Sequence, residues 1–265
     1  MCLLFNPNYL SMRKDYLAAC MAIGTVATAE AASIAVNFSE NDGNQGWVNP
    51  GALIGPTGIP AGNFNTTNNP PGSAILPTRT GTLASGSLSG LVDSNGVPTT
   101  AAITWNSSNT WWNGDGTGDD QARLAVGYLD DGGSGVSMTL TNIPYAEYRV
   151  YGLLASDQSA TLYTAQDFTV NGVAVLGGQA QAHATMGSSL AATGSQWSLL
   201  TATQAGNYWL SGTTTGATLT IAGAPRAGDA RGSITGIIIE QVPEPGSAVL
   251  GAAALIGLGA RRRRN

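Results

Sequence analysis

The chain has 265 residues, enough for one large or two small domains with a core of their own. Only 10% of the residues are charged and 36 are Gly, against the roughly 25% charge usual in soluble domains, so many tight turns are expected. Residues 32–242 hold five Arg, no Lys and thirteen Asp plus Glu, a net −8 that excludes nucleic acid as a partner of this body; both cysteines, Cys2 and Cys20, precede it, which excludes a thiol nucleophile, a Cys-based metal site and a disulfide there.

Residues 1–31 read as a secretory signal helix. With translation starting at Met12, Arg13 and Lys14 supply the positive region and Leu17 to Ala29 the apolar stretch. Ala29-Glu30-Ala31 is the small-residue cleavage site, so Ala29 and Ala31 are its recognition positions and the mature chain starts near Ala32. The partners this implies are the secretion machinery and a signal peptidase. Leu17-Ala18-Ala19-Cys20 has the letters of a lipoprotein box, but too little chain separates Cys20 from Arg13 and Lys14 to hold an apolar stretch.

Residues 32–241 form the body. Alternation or β-branched richness predicts strands over Ser33 to Phe38, Thr100 to Trp105, Arg123 to Leu129, Val136 to Ile143, Glu147 to Leu154, Asp167 to Leu176, Asn207 to Ser211, Ala217 to Ile221 and Ile234 to Gln241. Turn residues sit between or within these runs at Asp130-Asp131-Gly132-Gly133, Asn171-Gly172 and Thr214-Thr215-Gly216, where hairpins are expected. Residues 49–82 carry six prolines, which predicts a long surface loop packed along the body. The fold class is all-β: a single antiparallel β-sandwich of jelly-roll type.

Candidate sites in the body are few. Trp105, Trp111 and Trp112 cluster near Asn106, Asn109 and Asn113, and flat rings beside amides are what a carbohydrate-binding surface uses. The same tryptophans also suit a cap over the core. Asp115-Gly116-Thr117-Gly118-Asp119-Asp120 offers oxygen donors at alternating positions, so Asp115 and Asp119 are the candidate calcium ligands, the one cofactor the sequence suggests; a plain turn is the competing reading. No catalytic residue is assigned. His183 is the only histidine, and Gln181-Ala182-His183-Ala184 has neither nucleophile-elbow nor metal-ligand spacing. The acid pairs Asp119-Asp120 and Asp130-Asp131 would have to face each other across a cleft to serve a glycoside hydrolase, which is the alternative reading.

The chain closes with Val242-Pro243-Glu244-Pro245, then an apolar, glycine-dotted run from Gly246 to Ala260, then Arg261, Arg262, Arg263 and Arg264. Fifteen residues as a helix reach about 22 Å, short of the roughly 30 Å hydrocarbon core. The arginines resist translocation, so the segment reads as a short C-terminal transmembrane helix whose basic end stays in the cytoplasm. This three-part ending, residues 242–265, resembles the PEP-CTERM sorting signal. The resemblance implies a substrate of an exosortase, a membrane-embedded processing enzyme of Gram-negative bacteria that make extracellular polysaccharide. Pro243, Glu244 and Pro245 then become the recognition motif, Gly246 to Ala260 the membrane segment, and Arg261 to Arg264 the retention signal. Implied with it are a transient stay at the inner membrane, then residence at the cell surface or outside, as in a biofilm. The run from Phe168 to Val175 also resembles a hairpin of secreted bacterial lectin-like sandwiches, including the galactose-binding-like fold. The expected function is that of an exported, non-catalytic surface or matrix protein that binds exopolysaccharide.

Overall fold

Short runs that alternate apolar with small polar residues become strands wherever one side can be buried. The computed structural model describes residues 31–38, 48, 51–59, 61–66, 84–112, 120–130, 134–154, 168–175, 197–201, 203–204, 206–224 and 233–243. In chain order the strands are β1 (Ser33–Asn37), β2 (Asn65–Thr66), β3 (Ser85–Ser89), β4 (Ala102–Ser107), β5 (Asn109–Trp112), β6 (Gly127–Asp130) and β7 (Val136–Thr141). They continue as β8 (Glu147–Leu153), β9 (Phe168–Val170), β10 (Val173–Ala174), β11 (Tyr208–Leu210), β12 (Thr214–Thr215), β13 (Leu219–Gly223) and β14 (Gly236–Gln241). One helix, α1 (Asp120–Val126), separates β5 from β6.

These strands make an all-β body of several sheets. The first has the order β11-β8-β14-β1-β2, with β12 also on β8; the second runs β10-β9-β13-β7-β4-β3; β5 and β6 pair separately. Every ladder is antiparallel except β1 with β2. Both large sheets turn one face to a shared core. Ile34, Val36, Tyr148, Val150, Trp209, Ile237 and Ile239 enter it from the first sheet, and Ile103, Trp105, Met138, Leu140, Phe168 and Ile221 from the second. Ring contacts bridge the two: Phe168 lies 5.6 Å from Trp209, and Phe38, just after β1, lies 6.1 Å from Trp105.

The first sheet is covered on its outer face as well. Val48, Ile54, Ala61, Phe64 and Leu124 pack there on Ala35, Leu153 and Ile238, which is why all of β1 and the Gly236–Ile239 part of β14 are buried and why Ile237-Ile238-Ile239 is continuous rather than alternating. Ile54, Ala61 and Phe64 of the proline-rich segment do part of this covering, and the described part of that segment ends in structure that its composition did not announce. Asn65 Nδ2 donates to the carbonyls of Ala35 and Val92, both at 2.9 Å, and its Oδ1 accepts from Val92 N at 2.8 Å. That amide supplies ladder-like bonds where no strand pairs, and it fixes β2 beside β1. Residues 67–82 lie outside the described residues.

Three expectations need correction. Arg123 to Leu129 was expected as a strand, but its first half belongs to α1. Gln, Ala, Arg and Leu are strong helix formers, Arg123 donates to the Asp120 carboxylate one turn back at 3.2 Å, and the Gln121 side-chain oxygen Oε1 accepts from Gly55 N (2.9 Å) and Trp197 Nε1 (2.7 Å). β12 and β13 belong to different sheets, so Thr214-Thr215-Gly216 is not a hairpin turn between them; β6 and β7 also belong to different sheets and do not pair as the hairpin expected around Asp130, residues 131–133 themselves lying outside the described residues. Asn171-Gly172 is a true hairpin turn, with φ of 50° and 77° as a two-residue type I′ connection requires. β3 was missed because Ser-Gly-Ser-Leu-Ser lacks strand-favouring residues. It is held by Leu88 against the core and by Gly86 beneath Trp105, where a Cβ would come within 2.5 Å of the ring.

Tyrosines set the alkaline limit of this fold. Burial pushes the phenols of Tyr145, Tyr148, Tyr151 and Tyr208 above their ordinary 10.0. Asp93 adds to the effect on Tyr145, and the Glu240 carboxylate, which accepts from the Tyr151 hydroxyl, adds to that on Tyr151. Above pH 10 the unfolded chain sheds these protons while the folded chain keeps them, so stability is fully present below 10 and falls as pH rises beyond it. Urea midpoints measured from pH 7 to 11.5 are expected to decline steeply only past 10. A flat profile to 11.5 would contradict this assignment.

Candidate functional site

The sorting segment grows out of the best-supported strand of the first sheet. β14 is paired along its length with β8 and, over Gly236–Glu240, with β1. Gln241 N donates to Ala32 O at 2.8 Å and Val242 N to Glu147 O at 2.9 Å. The next residue, Pro243, has no N–H, so the ladder cannot continue, and it is exposed. Ala31, the last residue of the expected signal cleavage site, is half-buried two residues before the start of β1. The body therefore begins and ends at one place, with Ala32 and Gln241 hydrogen-bonded across β1 and β14. Ala29, Glu244, Pro245 and Arg261, Arg262, Arg263 and Arg264 lie outside the described residues, as does the apolar run before the arginines. Among the described residues no helix is long and apolar enough to cross a membrane.

The tryptophan cluster divides. Trp105 is 6% exposed and packs in the core between Phe38 and Gly86, so it is withdrawn from the sugar-facing set. Its β4 neighbours explain this: along Ala102–Ser107 alternate residues are buried, and Trp105 falls on the buried side. Trp111 is 42% exposed on β5, opposite the fully buried Tyr128 of β6. The Trp112 backbone pairs with Gly127. Asn113 lies outside the described residues.

The acids are placed differently from one another. Asp115 and Asp119 lie outside the described residues, as do His183 and Asp131. Asp120 opens α1 and pairs with Arg123 at 3.2 Å. Asp130 is 2% exposed, its backbone paired with Asn109 at the end of the small sheet. Among the described residues no group of three or more His, Cys, Asp or Glu converges as metal ligands would.

Two arrangements were not legible in the sequence. On the outer side of the first sheet the Tyr151 hydroxyl donates to Glu240 at 2.6 Å, with the Tyr208 ring 6.3 Å away. Neither tyrosine is near the other in sequence order, and only the β8–β14 and β8–β11 registers bring them together. A cleft of about 350 Å3 opens between the Val170–Val175 hairpin and Ser211–Thr215. Along its second wall the pairing to β8 lapses between β11 and β12: Ser211 N still donates to Val150 O at 2.8 Å, but Val150 N donates to the Ser211 hydroxyl at 3.1 Å instead of to a backbone carbonyl. The hairpin was foreseen from Asn171-Gly172; the break in the strand has no signal beyond Ser211-Gly212.

Comparison with known families locates one feature. Residues 241–264 match the PEP-CTERM protein-sorting motif. No curated protein and no solved structure matches the chain. The chain thus carries a sorting signal of this class, joined without a spacer to β14 of an all-β body. The motif implies export, a transient membrane anchor at the C-terminus and handling by an exosortase-type enzyme.

Proposed function

We propose that this is a passive, non-catalytic surface or matrix protein of a Gram-negative bacterium, exported by its N-terminal signal and delivered by an exosortase. The observation that carries this reading is the sorting motif at residues 241–264. Pro243, Glu244 and Pro245 are the peptide the enzyme recognises. Gly246 to Ala260 holds the chain at the inner membrane with Arg261 to Arg264 on the cytoplasmic side. Signal cleavage after Ala31 leaves Ala32, whose carbonyl is the acceptor for Gln241 N, so the body keeps its first strand whole.

The body is a jelly-roll sandwich in this reading. Its support is the strand order: β1-β14-β8-β11 faces β7-β13-β9-β10, with β2 added beside β1 and β4 and β3 added beside β7. Fold alone assigns no chemistry. The ligand is exopolysaccharide of the biofilm, taken on the face that presents Trp111, whose ring offers an apolar plane to sugar CH groups.

Binding without turnover tests this. The exported protein is expected to be retained on the host's exopolysaccharide and to release no soluble sugar from it. Trp111→Ala removes a stacking contact of about 0.5–1.5 kcal/mol, so retention should weaken about two- to thirteenfold. Release of reducing ends would contradict the passive reading, and unchanged retention would remove Trp111 from the site.

A further inference from the structure

The two large sheets have four outer edges, and three of them offer little to pair with. β2 and β10 are two residues long, and the edge made by β11 and β12 is interrupted at Ser211–Thr213. β3 is different. Ser85–Ser89 runs in unbroken register with β4, from Ser85↔Asn106 to Ser89↔Ala102. It contains no charged residue, no proline and no bulge, the devices by which natural sheets blunt their edges. No described strand pairs with its other side.

The direction of its free groups follows from one bond. Ser107 N donates to Ala84 O at 2.7 Å, and alternate residues of an antiparallel strand face the same neighbour. Gly86 and Leu88 therefore turn their backbone groups to β4, while Ser85, Ser87 and Ser89 turn theirs away from it. Those three serines are also exposed, whereas Leu88 is half-buried against the core.

We propose that β3 is an interface at which a second copy of this chain adds antiparallel, centred on Ser87. Ser-Gly-Ser-Leu-Ser suits this because it is nearly its own mirror. Centring on Ser87 sets Ser85 opposite the second copy's Ser89, and Ser87 opposite its own counterpart. Each of these pairs is of the hydrogen-bonded kind that exchanges two backbone bonds, and the facing hydroxyls bond across the junction. On the other side Leu88 falls opposite the second copy's Gly86, over which that copy's own Trp105 ring lies. Charge favours this place over others. Residues 32–242 carry a net −8, so copies repel over most of their surface, and β3 is an uncharged stretch where no like charges meet. Salt should then tighten the association by screening the rest. The inference stands apart from polysaccharide binding and needs neither Trp111 nor the tail.

Sedimentation of the full chain in non-ionic detergent tests it, alongside thermal unfolding of each variant. The wild-type chain is expected to dimerise with rising concentration, more readily in 0.5 M salt. Ser87→Pro removes the central N–H and should raise the dimer dissociation constant at least about tenfold, with the melting midpoint held because that N–H faces away from β4. Ser87→Cys does not depend on how the proline is tolerated. In a hydrogen-bonded pair the Cα atoms lie about 5.5 Å apart, within disulfide reach, so with the native Cys2 and Cys20 replaced by Ser, mild oxidation should link two S87C chains but not two S89C chains or two chains without an added cysteine. A chain that stays monomeric throughout, an S87P variant that dimerises like wild type, or equal cross-linking of S87C and S89C would overturn the proposal.

Discussion

Gly152→Ala is expected to cost the body about 3 kcal/mol or more, the upper end of what overpacking a core does. Gly152 sits in β8 directly opposite Trp209 of β11 on one side and Ile237 of β14 on the other. A Cβ there would lie 2.0 Å from Trp209 Cε2 and 2.1 Å from Cζ2. The ring has nowhere to go: it is fully buried, with Phe168 at 5.6 Å. Backbone pairing on both sides of β8 stops the strand from yielding instead. Urea unfolding checks this, with Gly212→Ala as the comparison, since a Cβ at Gly212 meets nothing within 4 Å and should shift stability by less than about 0.5 kcal/mol. Trp209→Leu should relieve the clash in part, so the double variant is expected to be less destabilised than the sum of the singles. A Gly152→Ala chain as stable as Gly212→Ala would contradict the packing described.

Much of that packing is legible in the sequence. Val136 to Ile143 alternates because one face of β7 meets the core, and Glu147 to Leu154, alternating only as far as Val150 and buried on both faces beyond it, appears as β8. Ile237-Ile238-Ile239 gives the opposite signal, burial on both faces, but sequence cannot say that Ile54, Ala61 and Phe64 supply the second covering layer. Local propensity failed where tertiary contacts decide. Ser85–Ser89 is a strand only because Trp105 fills the space over Gly86, and Asp120–Val126 is a helix whose Gln121 is claimed by Gly55 and Trp197. Sheet membership was equally hidden, since Thr214-Thr215-Gly216 reads the same whether the chain turns back within one sheet or crosses to the next. Of the candidate sugar surface, exposure separates Trp111 from Trp105, and the signal was available: Trp105 shares the buried register of Ile103 on β4. The sorting motif needed no fold to be read, because its parts are contiguous.

Replacing Arg261 to Arg264 together with serine should have the largest effect on fate and none on stability. As a helix, the apolar run from Gly246 to Ala260 would reach about 22 Å against a hydrocarbon core of roughly 30 Å, so by length alone it would be a weak anchor. Each Arg costs about 2.5–3.5 kcal/mol at the centre of a membrane, and four together block passage of the C-terminus. With serine there the block is gone. The chain is expected to slip into the periplasm with its tail intact, escaping the enzyme, while the body unfolds at the wild-type midpoint. Equal delivery of the four-serine and wild-type chains would remove the arginines from the signal.

Intact mass of the protein recovered from its host, beside a strain lacking the exosortase, tests the sorting role most directly. The account predicts a species beginning near Ala32 and ending close to Pro245 in the first strain, and a tail still running to Asn265 in the second. Protein that retains Arg264 at its destination in both strains would contradict it.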